Sequence, residues 1–226
     1  MGEAIQAPGL FGKLPSHGDF LVRRLPPAVR LCFDHWLQAG LVQSRIDLGD
    51  AWLPAWLGSP LWRFVAAPGV CAEQAWAGVM MPSHDRVGRC FPLLLMVAVD
   101  GRPSLADCLT LHAGWFERLE AMALSTLEEG FVLEAFDAAL TAVERLPAPA
   151  CAMPAAQDGL PSVRLFAGGE ISAGTGSVLA AGASAWWTDG SHQVAPCMAT
   201  CSGLPPRHLF AALLDGSWTE RGWRII

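Results

Sequence analysis

Three consecutive residues, Ser83, His84 and Asp85, carry the side-chain types of a hydrolytic triad: a hydroxyl nucleophile, an imidazole base and a carboxylate to orient it. Their adjacency argues against that chemistry, because neighbouring side chains on an extended segment point apart and cannot relay a proton. A nucleophile elbow needs Gly-x-Ser-x-Gly between strand and helix, whereas Met80-Met81-Pro82 precedes Ser83 and His84 follows it. A small hydrolase or phosphate-binding enzyme using Ser83 and Asp85 would have to recruit its histidine from elsewhere in the chain.

Other reactive groupings are thin. The six histidines, His17, His35, His84, His112, His192 and His208, lie far apart, and no two stand at helical ligand spacing. Only if the segments around His17 and His84 meet in space would those two, with Asp19 and Asp85, offer a ligand set, so no metal or other cofactor is expected. The glycine-rich run at residues 168–177 lacks the Gly-Lys-Ser/Thr ending of a P-loop. Cys197 and Cys201 have no second pair nearby and read as buried thiols.

Asp19 and Asp85 stand close in sequence to Arg23, Arg24, Arg86 and Arg89, and guanidinium forks suit carboxylate pairing. One expectation is purely structural: Asp85 and Arg86 hold a hairpin loop, Asp19 caps a helix or turn, and Arg89 braces the sheet. The other makes the same polar loops, at one end of the sheet, a docking surface for another protein. The two are compatible.

The elements that must position these loops are legible from periodicity. Residues 9–14 read as a first strand entering a polar loop. After Pro26-Pro27, apolar residues Val29, Cys32, Phe33, Trp36, Leu37 and Leu41 fall on one helical face. Residues 48–57 read as turn-rich. Strands are expected at 61–66, 74–81 and 91–99, the last two joined as an antiparallel pair by the loop 82–89. Residues 91–99 are apolar at nearly every position, so both faces of that strand must be covered by helices.

Ser104-Leu105-Ala106-Asp107 resembles a capping box opening a helix that runs on to Met122, and Thr126 with Glu129 marks a second start, ended by Pro147. Residues 147–161, rich in Ala and Pro, read as an irregular connection. Short strands near 163–167, 184–188 and 194–200 and a helix at 206–215 follow. The expected fold class is α+β, a central, largely antiparallel sheet sandwiched between helices, with an element order similar to longin-like and profilin-like domains. A single domain is expected over 1–226, with a core to 146 and residues 162–226 as a C-terminal extension packed on it.

Composition narrows the function classes. Twenty-one acidic against fifteen basic residues give a formal charge of −6, so there is no broad cationic surface to release counterions from nucleic acid. The longest uncharged stretch, residues 171–188, is too rich in Gly, Ser and Thr for a membrane span, and 90–99 is too short. Seven scattered cysteines lack the dense spacing of a secreted disulfide scaffold, and the first basic residue, Lys13, follows no signal-type run. A reducing cytoplasm is expected. Ten tryptophans and no tyrosine imply a Trp-rich core, with one or two rings around 52–62 free to anchor a partner.

Two stretches resemble the signatures of one bacterial family: residues 9–24, GLFGKLPSHGDFLVRR, and residues 78–95, GVMMPSHDRVGRCFPLLL. Gly12-Lys13-Leu14-Pro15, Gly18-Asp19-Phe20 and Arg24 are followed in order by Trp36-Leu37, Ser59-Pro60 and Trp62-Arg63-Phe64. Pro82-Ser83, Asp85-Arg86, Val87-Gly88-Arg89 and Phe91-Pro92-Leu93 close the match. Beyond residue 100 it continues only in Trp186-Trp187-Thr188 and Gly203-Leu204-Pro205. Phe33, Trp56 and Cys90 depart from the usual aromatics of the pattern and look like core exchanges.

This pattern is similar to the TagF family, also called ImpM, of cytoplasmic accessory proteins encoded with type VI secretion systems. The resemblance implies a post-translational repressor, not an enzyme, that binds the system's forkhead-associated scaffold protein and opposes a threonine kinase pathway. Some relatives carry a fused phosphatase, for which this chain has no room. The residues it marks as signature and interaction positions are Lys13, Gly18, Asp19, Phe20, Arg24, Ser83, Asp85, Arg86, Gly88 and Arg89.

Overall fold

The computed structural model describes residues 7–102, 104–146, 160–166 and 178–226. The connection expected at 147–161 and the glycine-rich run at 168–177 therefore lie almost wholly outside the described residues.

Strands β1 (Gly9–Gly12) and β2 (Leu21–Arg23) precede helix α1 (Pro27–Leu48), and helix α2 (Trp52–Gly58) leads into β3 (Trp62–Ala66), β4 (Ala75–Met81) and β5 (Leu93–Val99). Three helices follow, α3 (Leu105–Leu109), α4 (Ala113–Ser125) and α5 (Leu133–Thr141). The chain then returns as β6 (Ser162–Leu165), β7 (Ala183–Thr188), β8 (Cys197–Ser202), the short helix α6 (Ala212–Asp215) and β9 (Arg224–Ile225). Among the described residues these strands form one nine-stranded sheet in the order β2-β1-β5-β4-β3-β7-β8-β6-β9. Every pairing is antiparallel except β6 with β9.

The largely antiparallel α+β sheet between helices is thus present. Every residue of β3, β4 and β5 is buried, as a strand covered on both faces requires. On one face Phe64, Met80, Leu94 and Trp186 pack under α1, α2 and α6. On the other, Val65, Val79, Leu95 and Trp187 pack under α3, α4 and α5. The alternation of successive residues between the two clusters is the period-two geometry of a strand.

Helix α1 begins where a proline at its first position costs no hydrogen bond, and buries Val29, Phe33, Trp36, Leu37, Gly40, Leu41 and Ser44 at three- and four-residue spacing. Gly40 lies in the middle of the helix because a Cβ there would stand 2.4 Å from Phe210 Cδ2. The seam between the N-terminal and C-terminal strands is aromatic: Trp186 stacks on Phe64 at 4.8 Å and lies 4.9 Å from Trp36. Indole N–H groups complete it, Trp36 donating to Pro205 O at 2.7 Å and Trp62 to Leu213 O at 3.1 Å. On the opposite face Arg63 donates to both carboxylate oxygens of Glu120 on α4, at 2.9 and 2.7 Å, and to Asp189 at 2.7 Å. Burial pushes the Glu120 carboxyl up, and Arg63 pulls it part of the way back.

Several expectations need correction. Residues 48–57 contain a 3-10 turn and α2, because the buried Trp52, Ala55 and Trp56 recur at three- and four-residue spacing. The single helix expected from Leu105 to Met122 breaks between Leu109 and Ala113; Ser104 does cap it, accepting from Asp107 N. Thr126 ends α4 rather than starting α5. The final helix shortens to a 3-10 turn and α6. Cys32 and Cys71, read above among thiols in a reducing compartment, are joined as a disulfide that ties α1 to the β3–β4 turn across 39 residues.

Two outcomes test this packing. Trp186→Ala should cost about 3–5 kcal/mol, seen as a lower urea midpoint, since a fully buried indole is lost at the seam. Reduction of the Cys32–Cys71 bridge should remove about 2–4 kcal/mol by freeing the loop it closes; an unchanged midpoint in dithiothreitol would show that the bridge constrains nothing.

Candidate functional site

Strand register brings the two signature segments to one end of the sheet. Gly12 at the end of β1 lies opposite Leu93 at the start of β5, and Leu93 also lies opposite Met81 at the end of β4. Lys13, Pro82 and Pro92 therefore emerge side by side. Gly12 makes the approach possible: it sits at φ +137°, and a Cβ on it would fall 2.0 Å from Pro92 O.

Asp85 lies at the centre of this corner, without solvent exposure. Its Oδ1 accepts from the backbone N–H of Val87 at 3.0 Å and of Arg89 at 2.9 Å. Its Oδ2 accepts from Lys13 Nζ at 2.9 Å and Arg89 Nε at 2.6 Å. Burial alone would raise this carboxyl; the bonds from Lys13, the Arg89 amide and guanidinium, and the Val87 amide outweigh it and hold the group well below the usual carboxylate range. Asp85 is an anion at every physiological pH, with both oxygens occupied.

The remaining contacts lock the two loops together. Ser83, buried, donates through Oγ to Lys13 O at 2.8 Å; its own carbonyl accepts from Trp56 Nε1 at 3.3 Å and Phe91 N at 3.1 Å. Arg86 N donates to His17 O at 2.9 Å, and Arg89 Nη2 donates to Gly18 O at 2.7 Å. Gly88, at φ +81°, turns the loop so that its N–H reaches Asp85 O. Phe20 sits 4.7 Å from Phe91 edge-on, with Lys13 Nζ 5.0 Å from its ring centre.

Seven of the ten signature residues thus meet directly, and Phe20 closes over Lys13. Two do not join them. Arg24 follows the strand end paired with Leu10, at the opposite end of β1; it adopts φ +52° and bonds Pro8 O at 2.9 Å and Asp137 at 2.6 Å, pinning α5. Asp19 is exposed and makes no hydrogen bond or ion pair among the described residues, so it does not cap a turn. Arg86, expected to hold the loop through its side chain, does so through its backbone.

The geometry does not assemble a reaction centre from Ser83 and Asp85. The Ser83 hydroxyl is spent on a backbone carbonyl, and His84 Nδ1 lies 2.9 Å from Asp85 O, against the chain rather than the serine. His17 pairs with Ser16 at 2.8 Å, and no cluster of His, Cys, Asp and Glu among the described residues fits a metal ion. Burial pushes the Cys90 thiol up against the pull of Arg45 and Lys13, so it is not poised as a thiolate.

The sequence reading missed what lies beside this corner. Arg45 of α1 stacks 3.7 Å over the ring of Trp52, and the two line an open concavity with Leu53, Gly88, Arg89 and Cys90. The five tryptophans of the signature half are all buried, and the exposed apolar groups of α2 are Leu53 and Leu57. The four-residue spacing of those leucines was the available signal.

Asp85→Asn should destabilise the fold at pH 7, because Lys13 is left buried without its counter-charge. The sign of its pH dependence follows from the lowered carboxyl: the stabilisation is fully present above about pH 4–5, where the unfolded carboxylate is ionised, and is lost as pH falls toward the native value. The stability gap between wild type and Asp85→Asn, measured by urea unfolding, should therefore shrink steadily from pH 5 to pH 3; a constant gap contradicts the assignment.

Comparison with known proteins agrees with this architecture. Residues 9–143 match the family model described as TagF N-terminal domain, Type VI secretion system-associated. The fold is similar to the crystal structure of PA0076 from Pseudomonas aeruginosa PAO1, at 36% identity and a TM-score of 0.77, covering 93% of this chain and 95% of that one. No curated protein matches. With more than half its length under the family model and a solved relative aligned over nearly all of both chains, this chain belongs to the TagF family of type VI secretion-associated proteins.

Proposed function

We propose that this protein restrains a type VI secretion apparatus post-translationally, by stoichiometric binding to its forkhead-associated scaffold protein in the cytoplasm. Family membership supports an accessory, regulatory role in such a system. The single observation that carries the interaction reading is the use made of the signature residues: Lys13, Ser83, Asp85 and Arg89 are consumed in fixing two loops against each other at one end of the sheet. Fixed loops lose little entropy when a partner seats on them, which suits a docking surface. Occupying the scaffold would block assembly or firing and so oppose the kinase pathway that promotes it.

The surface that the loops offer is Arg86, Val87 and Gly88, all exposed, with Asp19 and Phe20 beside them. The Arg86 side chain makes no hydrogen bond or ion pair among the described residues while its backbone is structural, so its truncation separates binding from folding. The alternative, a hydrolase or phosphate-binding enzyme built on Ser83 and Asp85, finds no support in where those groups point. No helix among the described residues is long and apolar enough to cross a membrane.

Overproducing the chain in a cell that carries the secretion cluster should suppress effector release, and the forkhead-associated protein should co-purify with it in equimolar amount. Arg86→Ala should weaken that capture while leaving the melting midpoint within about 1–2 °C, as expected of an exposed side chain. Undiminished secretion on overproduction, or ester or phosphate turnover abolished by Ser83→Ala, would overturn the reading.

A further inference from the structure

The concavity beside the Asp85 loop is not explained by the contacts that brace the loop. It encloses ≈ 400 Å³ between the C-terminal end of α1, the start of α2 and residues 88–90. Its lining carries two guanidinium groups and no carboxylate, on a chain whose formal charge is −6. Asp85, outside the lining, balances one of the two positive charges that Lys13 and Arg89 bring to it.

Both arginines are held in place before anything binds. The Arg45 guanidinium carbon lies over Trp52, 3.7 Å from the ring centre, and no carboxylate among the described residues pairs with it. Arg89 is anchored through Nε to Asp85 and through Nη2 to Gly18 O, yet its side chain is 62% exposed, and its Nη1 makes no hydrogen bond among the described residues. Stacked or tethered guanidiniums present donors with little rotamer freedom left to lose.

The rest of the lining is apolar. Leu53 is exposed, and Leu57, one helical turn beyond it, extends the same exposed face of α2, while Trp52 is buried with Arg45 over its ring and Trp56 stacked on it at 5.5 Å. Ile46 and Val87, chain neighbours of Arg45 and Gly88, are also largely exposed. An apolar surface next to two fixed cations is costly to leave in water, and it matches a ligand that has both characters.

We infer that this groove docks an acidic segment of a partner protein that also carries a large apolar side chain. The carboxylates of the segment meet Arg45 and Arg89, and the apolar side chain lies on the exposed face of α2, on Leu53 and Leu57. This rests on the reading of the chain as an interaction protein and names the chemistry of what that protein holds.

The test keeps the two readings apart. A phage library of random dodecapeptides is panned on the full-length protein, with Arg45→Glu and Leu53→Asp proteins as separate counter-selections; both positions are exposed, and melting midpoints confirm folding. The enriched peptides should combine Asp or Glu with an aromatic or large aliphatic residue. They should bind each variant at least about tenfold more weakly, as for a contact central to an interface, and weaken further with added salt. No enrichment, enrichment of basic or neutral peptides, or binding by either variant as strong as by the wild type would overturn the inference. Co-purification of the forkhead-associated protein is scored independently: its failure alongside acidic peptide binding removes the proposed function and leaves the groove, whereas its success without acidic peptide binding removes the groove and leaves the function.

Discussion

A carboxylate sealed from water must have its lone pairs met by the protein, and Asp85 meets that demand with two loop amides, one ammonium and one guanidinium. Each donor comes from a backbone position that the anion itself helps to fix. The Val87 and Arg89 amides converge only when the 82–89 loop is tightly turned, and Lys13 reaches Oδ2 only when the β1 loop lies against it. The charge therefore sets the shape of both loops at once. Leaving any of these donors without its acceptor would bury an unpaired polar group, so the corner is far more stable complete than partly made.

The corner needs a rigid platform, and the sheet provides it. β1, β5 and β4 deliver Lys13, Pro92 and Pro82 to one edge because their register is held by residues buried on both faces. The C-terminal strands are part of the same platform. β7 pairs with β3, and Trp186 sits between Phe64 and Trp36 at that seam. Tryptophan suits this position, since it fills the volume of a core residue while its N–H satisfies a backbone carbonyl, as Trp36 and Trp62 do for Pro205 and Leu213. The same residue type lines the groove, where Trp52 is buried against the fold and takes Arg45 over its ring.

Much of this was legible from residue order. The strands at 61–66, 74–81 and 91–99 lie within two residues of their positions in the fold, because fully apolar runs bounded by Pro and Gly leave few alternatives. Helix α1 was legible from its apolar face and its opening prolines. The loop contacts were legible only in part. Lys13 and Asp85 stand 72 residues apart, and nothing local to either says that they pair. Arg24 belonged to the same motif yet serves the opposite end of β1, since motif neighbours on a strand and its hairpin return need not stay together in space. Helix α2 was obscured by Pro54 and Gly58, and the Cys32–Cys71 bridge joins residues whose approach depends on how α1 lies across the sheet.

Composition and order by themselves determined the layered α+β class, the burial of the central strands, the exclusion of a broad cationic surface and the family pattern in the first hundred residues. Those follow from local periodicity and charge, which are properties of the chain at short range. Tertiary structure alone decided which signature side chains meet, which donors Asp85 receives, that the Ser83 hydroxyl is occupied by a carbonyl, and that Arg45 and Arg89 flank one groove. Each of those depends on strand register and helix placement, where a shift of one residue would turn a side chain to the other face of the sheet.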